Sequence, residues 1–319
     1  MSLVSSPTDE RQPSRRTVLG LAGRLTATGL LGGMTGCTWL GRGELSPEQV
    51  VPPSSGGLLF DAELTSRRDL SAYPYTINTG WSPVIEQPRA LLLEDPVHGA
   101  SRIVVRMVSD KTARHDGAPS VRVQCETDAL IRSARHGNLS DIYYAGFALY
   151  LPDDFEPLKD GDWLSFAAGA YGPPYGGSGP LSLGLRSPGS AEGEHRLVLA
   201  NRPELLGDVV VPRGRWIDLV LGFRLAYAAD GGWLSVWMNL GDGWSVLPVA
   251  GEGRTSFDAL DRGVNDAWHG NEEEAPNTSR IGVYGNKPNT LVHGWHRVGQ
   301  SFGEAMPNSY PETPLPEGS

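Results

Sequence analysis

The sequence predicts an all-β protein, an antiparallel β-sandwich with few helices, and three observations lead to that prediction. The 319-residue chain is rich in turn formers and large rings, with 41 Gly, 25 Pro and 9 Trp. Short runs of alternating apolar and polar residues follow one another and are separated by turn residues. No segment shows a long, clean 3.6-residue period. A core region of about 250 residues without an internal linker or repeat then favours one sandwich domain.

Nine runs are predicted as strands. The run over 120–126 alternates strictly, and Trp233–Asn239 follows the turn signal Asp230-Gly231-Gly232. The alternation and the intervening turn residues indicate antiparallel pairing. In chain order the strands are 101–108, 120–126, 143–151, 181–185, 195–200, 216–223, 233–239, 280–284 and 291–298. A short helix over 256–268 is the one helical element that the pattern allows.

Residues 1–36 are predicted to be an export signal that does not belong to the fold. Arg15 and Arg16 stand directly before a mildly apolar segment, 18–34, which is interrupted by Arg24. That segment is too weak for a membrane span, which needs about 20 mostly apolar residues. Paired arginines before such a region resemble a twin-arginine signal. The alternative is a disordered tail with a chance arginine pair.

Cys37 is the predicted lipidation site. It ends the run Met34-Thr35-Gly36-Cys37, which resembles a bacterial lipobox, and a Pro-, Ser- and Gly-containing tether follows over 37–57. The prediction is a protein exported by the twin-arginine route and lipid-anchored on the outer side of the bacterial plasma membrane. The second cysteine, Cys125, lies in an alternating run and is predicted to be buried.

The remaining chain is acidic. Residues 1–36 hold four arginines against two acids, which leaves 23 basic and 35 acidic residues and a net charge of −12. With no lysine-rich run or basic helix, nucleic acid is not an expected partner. An anionic ligand would need a local basic groove. The core domain is assigned to 58–302, and the segment 303–319, with four prolines, is predicted to be irregular.

Several runs within 58–302 together resemble the heparin-lyase-I-like polysaccharide lyases, a family of jelly rolls with a concanavalin-like sandwich. In order they are Leu93-Glu94-Asp95-Pro96-Val97-His98-Gly99, Arg122-Val123-Gln124, the stretch 141–155, Arg215-Trp216-Ile217-Asp218, Trp233–Asn239, and Arg280-Ile281-Gly282-Val283-Tyr284. Their order and spacing carry the resemblance. It implies a monomeric jelly roll that acts by β-elimination on a polysaccharide containing uronic acid. Similar jelly rolls occur in alginate and glucuronan lyases, and the related sandwich occurs in lectins.

Two strands carry the candidate catalytic residues. Uronate β-elimination needs a group that neutralises the carboxylate, a base and an acid. Arg122, Gln124 and Glu126 occupy alternate positions of one strand and share a face. Arg122 is the candidate carboxylate clamp, Gln124 a second catalytic candidate, and Glu126 a substrate-binding candidate. The alternative is a solvated strand face with an internal ion pair.

The second strand contains Arg280 and Tyr284, which also share a face. Tyr284 is the candidate general acid or base, and Arg280 stands where the family usually has lysine. The alternative for Tyr284 is an ordinary strand aromatic. Lys287, Tyr171 and Tyr175 are further substrate-binding candidates, although Lys287 is also consistent with a solvated lysine.

One departure from the family favours a second function. The family carries a Gln-aromatic-His triplet on a central strand, and Ala168, Gly169 and Ala170 stand at the matching place in the stretch 163–171. Loss of that histidine favours a non-catalytic carbohydrate-binding protein on the same fold as the alternative. Paired carboxylates for glycoside hydrolysis also stay open, because their separation is a property of the fold.

No cofactor or metal is expected. His293 and His296 are three residues apart on a predicted strand, so we expect them to face opposite sides and not to share a metal. The acidic pair Asp153-Asp154 and the run Glu272-Glu273-Glu274 have the oxygen ligands of a calcium site, but solvated charge is the favoured interpretation. The membrane is expected to be a partner only through the lipid at Cys37.

Overall fold

The structure, a computed structural model, describes residues 57–66, 72–73, 75–77, 89–109, 114–115, 118–119, 122–127, 142–171, 181–187, 194–199, 209–224, 233–247, 254–256 and 277–316. The chain divides into two compact units, Met1–Glu44 and Leu45–Ser319, and every described residue belongs to the second. Arg15, Arg16, Cys37 and all but the last residue of the tether lie outside the described residues. So do Tyr175 and the predicted helix after residue 256.

Within these residues the chain forms eighteen strands and one short helix. The strands are β1 Phe60–Ala62, β2 Tyr75–Ile77, β3 Ala90–Asp95, β4 Gly99–Val108, β5 Arg114–His115, β6 Ala118–Pro119, β7 Arg122–Glu126, β8 Ile142–Tyr150, β9 Trp163–Tyr171, β10 Ser182–Arg186, β11 His195–Leu199, β12 Val210–Val211, β13 Trp216–Arg224, β14 Trp233–Asn239, β15 Trp244–Val246, β16 Arg254–Ser256, β17 Asn277–Gly285 and β18 Thr290–Gly299. The helix, α1, spans Phe302–Ala305. All nine strands predicted from the sequence are present.

The described strands pair antiparallel in two large sheets and one small hairpin. The nine-stranded sheet has the order β15-β14-β13-β8-β18-β4-β3, with β1 beside β18 and β16 beside β14. The seven-stranded sheet has the order β12-β11-β10-β9-β17-β7-β2, and β5 pairs with β6. The predicted antiparallel β-sandwich of jelly-roll type is therefore confirmed.

One apolar core lies between the two sheets. Alternate residues of each strand supply it, for example Leu219 and Leu221 of β13 and Ile281 and Val283 of β17. Cys125 belongs to this core and is completely buried, as predicted, and its burial raises the pKa of the thiol to about 12. The residues between the core positions lie on the outer face of each sheet.

The segment from Ser301 to Pro316, called here the C-terminal segment, covers the outer face of the nine-stranded sheet. A capping box of Ser301 and Glu304 begins α1. Phe302 then packs edge-on against Trp237 and Trp244, with ring centroids 5.3 and 5.1 Å apart. The backbone approaches β8 closely at Gly146, where a Cβ atom would overlap the carbonyl oxygen of Ala305.

Two of the runs that carry the family resemblance, 93–99 and 215–218, contact each other under this segment. Trp216 Nε1 donates to both carboxylate oxygens of Asp95, at 3.0 and 3.1 Å, and Arg102 forms an ion pair with the same carboxylate at 3.2 Å. The Arg102 guanidinium also lies 3.4 Å from the ring centroid of Trp295. Buried ion pairs and rings thus fix the turn after β3 against β13.

A β-bulge in β18 makes one prediction wrong. His293 is opposite Leu149 and Trp295 is opposite Ala148, so Gly294 is an extra residue without a partner of its own on β8. The alternation shifts by one position at the bulge. His293 and His296 therefore both point into the core, where each is completely buried, and do not face opposite sides as predicted.

Candidate functional site

Strands β7 and β17 are neighbours, and they bring the predicted catalytic positions together on the outer face of the seven-stranded sheet. The cross-strand pairs are Arg280 with Glu126, Gly282 with Gln124, and Tyr284 with Arg122. Directly opposite residues share a face of a sheet. The intervening residues, such as Val123 and Ile281, lie in the core, so these three pairs lie on the outer face.

Strand register alone places Arg122 opposite Tyr284 and Glu126 opposite Arg280, whereas Tyr171 is opposite Asn277, so the register does not bring position 171 to the same face. The side chains of Arg122, Glu126 and Tyr171 lie outside the described part of the structure, although their backbones belong to β7 and β9. The described side chains of the site are those of Gln124, Arg280 and Tyr284.

Gly282 allows the side chain of Gln124 to lie across β17. A Cβ atom at position 282 would lie 2.7 Å from Gln124 Cγ and would also overlap the carbonyl oxygen of Val123. The backbone φ of Gly282 is 153°, a value that residues with a side chain rarely adopt. Because Gly282 stands between Arg280 and Tyr284 on this face, the side chain of Gln124 packs over β17 between the positions of these two residues.

The site combines deep burial with partial exposure. Gln124 and Arg280 are only 3% and 6% exposed, whereas Tyr284 is half-buried. Buried polar groups are costly unless they are hydrogen-bonded, and both of these side chains interact with other groups of the protein. The arrangement puts fixed hydrogen-bond donors beside a phenol that solvent can reach.

Trp163, which the sequence analysis did not single out, orients the phenol. Its ring contacts Tyr284 edge-on, with centroids 5.0 Å apart and an interplanar angle of 85°. Edge-to-face pairs of this kind are favoured by the quadrupoles of the rings. Trp163 begins β9, two residues before Ser165, and Ser165 is opposite Tyr284.

Lys287 takes part in a hydrogen-bond network around Asp162, directly before the start of β9. Its Nζ donates to Asp162 Oδ2 at 2.7 Å, and the backbone nitrogen of Lys159 donates to the same oxygen at 2.8 Å. Burial raises the pKa of Asp162, but these hydrogen bonds outweigh burial and hold the pKa below its ordinary value. Lys287 is thus ion-paired in the turn after β17, and this contact favours a structural role over substrate binding.

The floor beside β17 is made of small residues. Ala168 is opposite Arg280 and Ala170 is opposite Thr278, so the positions that matched the family's triplet do border the site, without glutamine or histidine. Small residues also link β9 to the next strand, β10. Ser165 Oγ of β9 and Ser182 Oγ of β10 are 2.9 Å apart, and both serines are buried. This hydroxyl pair was not predicted, since it depends on the register of two strands.

Two buried histidines support β17 from the core side. His293 Nε2 donates to the carbonyl oxygen of Gly282 at 3.0 Å, and His296 Nε2 lies 2.7 Å from Ser279 Oγ. His296 Nδ1 is also 2.9 Å from the hydroxyl of Tyr73. Burial lowers the pKa of His293 to about 4 and, together with the charge of His293, that of His296 to about 3. Both imidazoles are therefore neutral at pH 7.

No metal centre is found in the part of the chain that the structure describes, where no three His, Cys, Asp or Glu residues come close enough to hold an ion. Asp154 is instead ion-paired with Arg106. The run Glu272-Glu273-Glu274 lies outside the described residues. The described residues also contain no helix that is long and apolar enough to cross a membrane.

Comparison with known proteins finds similarity among solved structures only. No protein-family model and no curated protein sequence matches the chain. The alginate lyase Aly36B is 10% identical over 77% of this chain and 97% of its own, with a TM-score of 0.41. A carbohydrate esterase from the Shiga toxin-encoding bacteriophage phi24B is 9% identical over 76% and 98%, with a TM-score of 0.40.

A third similar structure is the PL-14 alginate lyase from Aplysia kurodai, which is 11% identical over 65% of this chain and 86% of its own, with a TM-score of 0.34. At these identities and TM-scores, the activities of the three proteins do not transfer to this chain. The functional assignment therefore rests on its own residues.

Proposed function

We propose that this protein is a polysaccharide lyase that cleaves a polymer containing uronic acid by β-elimination, on the outer face of the seven-stranded sheet. The observation that carries the proposal is the packing of Gln124 over Gly282, between Arg280 and Tyr284. This arrangement gathers a cation, an amide and a phenol on one face. These are the groups that an elimination next to a carboxylate requires.

In this mechanism the substrate carboxylate binds to Arg280 and Gln124, with Arg122 as a further cation at the register position of Tyr284. Their hydrogen bonds stabilise the negative charge that develops on the carboxylate as the C5 proton leaves. The hydroxyl of Tyr284 acts as general acid or base. The oxygen of Tyr284 takes the proton from C5, the C4–O bond breaks as a C4–C5 double bond forms, and the same proton passes from Tyr284 to the oxygen that leaves C4.

The test is the absorbance of unsaturated uronate after incubation with alginate, glucuronan and heparin-type polymers. Tyr284→Phe removes only the hydroxyl and should lower kcat by at least about a hundredfold. Tyr310→Phe is the matched control, because Tyr310 lies on the outer face of the other sheet and its hydroxyl donates to the carbonyl oxygen of Trp216. If the Tyr284 variant keeps full activity, Tyr284 is not the acid or base.

A second candidate function is carbohydrate binding without cleavage. The observation that favours it is the presence of Ala168 and Ala170 at the register positions beside Arg280 and Thr278, where no imidazole is available to share a proton transfer. The same incubation separates the two functions. Measurable glycan binding by calorimetry, with no unsaturated product from any acidic polymer, would favour the binding protein.

We also propose that residues 1–36 direct export by the twin-arginine route and that Cys37 carries a lipid, so that the domain over 58–302 is displayed on the outer side of the bacterial plasma membrane. The support is the run of Arg15 and Arg16 before an apolar segment that ends at Cys37. Mass spectrometry of the membrane fraction should find a lipid-modified N-terminal Cys37. Cys37→Ser should release the protein, and the double change of Arg15 and Arg16 to lysine should retain it in the cytoplasm.

A further inference from the structure

The strand that carries Arg280 and Tyr284 is irregular between these two residues. Gly282 and Val283 have no partner of their own on β9, where only Phe166 lies between the pairs on either side. The pairing with β7 stays regular, so Gly282 has a strand partner on that side only. An irregularity of this kind disrupts the ladder locally and re-aims the side chains beside it. The place of Tyr284 relative to Arg280 therefore depends on what fixes the backbone at Gly282.

A buried histidine of the opposite sheet is bonded to this backbone. His293 belongs to β18 of the nine-stranded sheet and Gly282 to β17 of the seven-stranded sheet, so the 3.0 Å bond from His293 Nε2 to the Gly282 carbonyl oxygen crosses the core. A carbonyl oxygen can only accept, so Nε2 carries the proton. The ring is completely buried, and its Nδ1 has no hydrogen-bond partner among the described residues.

The bond joins two irregular strands at one point. Gly294, the extra residue of β18, directly follows His293, so the bulge of β18 and the irregular part of β17 are connected through the imidazole. A second cross-core bond, between His296 Nε2 and Ser279 Oγ, ties β17 to β18 on the other side of Arg280. Arg280 is thus held from Ser279, whereas the stretch from Gly282 onwards is held from His293.

We propose that His293 is a positioning residue of the elimination, which acts through the Gly282 carbonyl group to hold Tyr284 in the place that proton transfer requires. This inference rests on the proposed function, and it adds a residue that does not touch the substrate. Because Arg280 keeps its own tie at Ser279, loss of the His293 bond should impair the proton transfer by Tyr284 more than the binding of the polymer.

The experiment compares the full wild-type chain with His293→Leu and His293→Gln, on whichever of alginate, glucuronan and heparin-type polymers the wild type cleaves. Leucine fills the core position without a donor, whereas glutamine can still donate to Gly282. Per folded molecule, His293→Leu should lower kcat at least about tenfold. KM should change by less than about twofold, because the interaction acts in the transition state. His293→Gln should recover most of the loss.

The matched control is His195→Leu, which makes the same chemical change elsewhere. His195 is equally buried, packs edge-on against Phe155, and has no hydrogen-bond partner for its ring nitrogens among the described residues. Strands β10 and β9 separate its strand, β11, from β17. The control should lower the unfolding midpoint without changing kcat per folded molecule.

Amide hydrogen exchange gives a second readout on the backbone itself. Exchange over 277–285 should be faster in His293→Leu than in the wild type and unchanged in His195→Leu. Unchanged exchange, full kcat per folded molecule in His293→Leu, or equal losses in the leucine and glutamine variants would each overturn the positioning role and leave the proposed lyase intact. Absence of cleavage of every acidic polymer by the wild type would overturn the two together. If His293→Leu does not fold, His293→Met replaces it with the same criteria, because methionine adapts to the core without supplying a donor.

Discussion

The outer faces of the two sheets differ sharply although both belong to one sandwich. The nine-stranded sheet presents large rings, such as Trp216, Trp237 and Trp295, and the C-terminal segment packs over them. The seven-stranded sheet presents arginines, an amide, hydroxyl groups and a half-buried phenol, over a floor of alanine, serine and glycine. Burial of rings stabilises the first face, which also holds buried charged groups such as Asp95 and Asp218. The second face has no such cover of rings over Gln124 and Arg280 among the described residues.

The proposed function uses the second of these two faces. Residues that stability alone would favour at buried sheet positions are absent from the outer face of β17, where Arg280 and Gly282 stand. Under the proposed function, these positions serve the binding of the polymer. The two faces can therefore be perturbed separately, and four predictions follow from that separation, in order of decreasing effect at pH 7.

The largest effect is expected at Gly146, on the face that the C-terminal segment covers. Gly146→Ala places a methyl group onto the carbonyl oxygen of Ala305, so α1 has to move away from β8. Because the packing of Phe302 against Trp237 is then disturbed, the free energy of unfolding should fall by about 3 kcal/mol or more. The activity per folded molecule should be unchanged.

Denaturant unfolding followed by tryptophan fluorescence measures this loss, with Gly303→Ala as the matched control. Gly303 lies in α1 but has nothing within 4 Å of its Cβ position, so its replacement should be neutral or slightly stabilising. An equal loss in both variants would contradict the assignment of the effect to the contact with β8.

The second prediction concerns Gly282, on the polar face. Gly282→Ala forces Gln124 and the backbone of β7 away from β17, and it also has to adopt an unfavourable φ. Stability should decrease by about 1–3 kcal/mol. The activity should fall by about a hundredfold, since small misplacements of binding groups cost that much. Steady-state kinetics on the folded fraction measures the loss; retained kcat with an intact Gln124 would mean that the packing of this amide is not needed.

The strands themselves were predictable because their signals are local. The turn signal at 230–232 and strict alternation predicted Trp233–Asn239 with the bounds that the structure has. The strand Ala90–Asp95 was missed because four apolar residues in succession, Ala90 to Leu93, carry no period of two. The grouping of the catalytic candidates on β7 and on β17 was also predictable, because residues at alternate positions of one strand share a face.

Features that depend on pairing between strands were not predictable. The bulge at Gly294 decides that His293 and His296 point to the same side, and a glycine inside a strand was the signal that could have indicated it. The opposition of Arg186 and Arg196 depends on the register of β10 and β11. Their separation in sequence gives no information on that register, because it is set by the packing of the whole sheet.

The third prediction uses the two histidines behind the polar face. Their pKa values in the folded protein, about 4 and about 3, lie below the usual value of 6.5, so the unfolded chain binds protons first as the pH falls. The contribution of the two histidines to stability should be complete well above pH 6.5 and should be lost as the pH falls from 6.5 to about 3. His195, whose pKa burial lowers to about 4, adds to the same decrease.

Thermal unfolding of the wild type and of His293→Gln between pH 4 and pH 8 measures this dependence. Glutamine can still donate to the carbonyl oxygen of Gly282 but cannot take up a proton, so its curve should fall less steeply in acid. Identical slopes for the two proteins would show that His293 is not among the groups that titrate on unfolding.

The smallest effect is expected at Asp218, under the C-terminal segment. Burial raises the pKa of this carboxyl group to about 7, although the hydrogen bonds from Ser309 and the charge of Arg102 oppose the shift. Ser309 N donates to its Oδ2 at 3.1 Å, and Oδ1 has no hydrogen-bond partner among the described residues. The unfolded chain therefore loses this proton first as the pH rises from about 4 to about 7. Over that range Asp218 lowers stability, in the opposite direction to the histidines.

Asp218→Asn removes the charge but keeps an oxygen that can accept from Ser309 N. The difference in unfolding free energy between this variant and the wild type should therefore shift in favour of the variant by about 1–2 kcal/mol from pH 5 to pH 8. A difference that does not change with pH would mean that Asp218 is ionised in the folded protein throughout this range. Activity per folded molecule should be the same in both proteins, because the group lies on the ring-covered face. The histidines behind β17 and the carboxyl group under the C-terminal segment would then give pH dependences of opposite sign on the two sides of the sandwich.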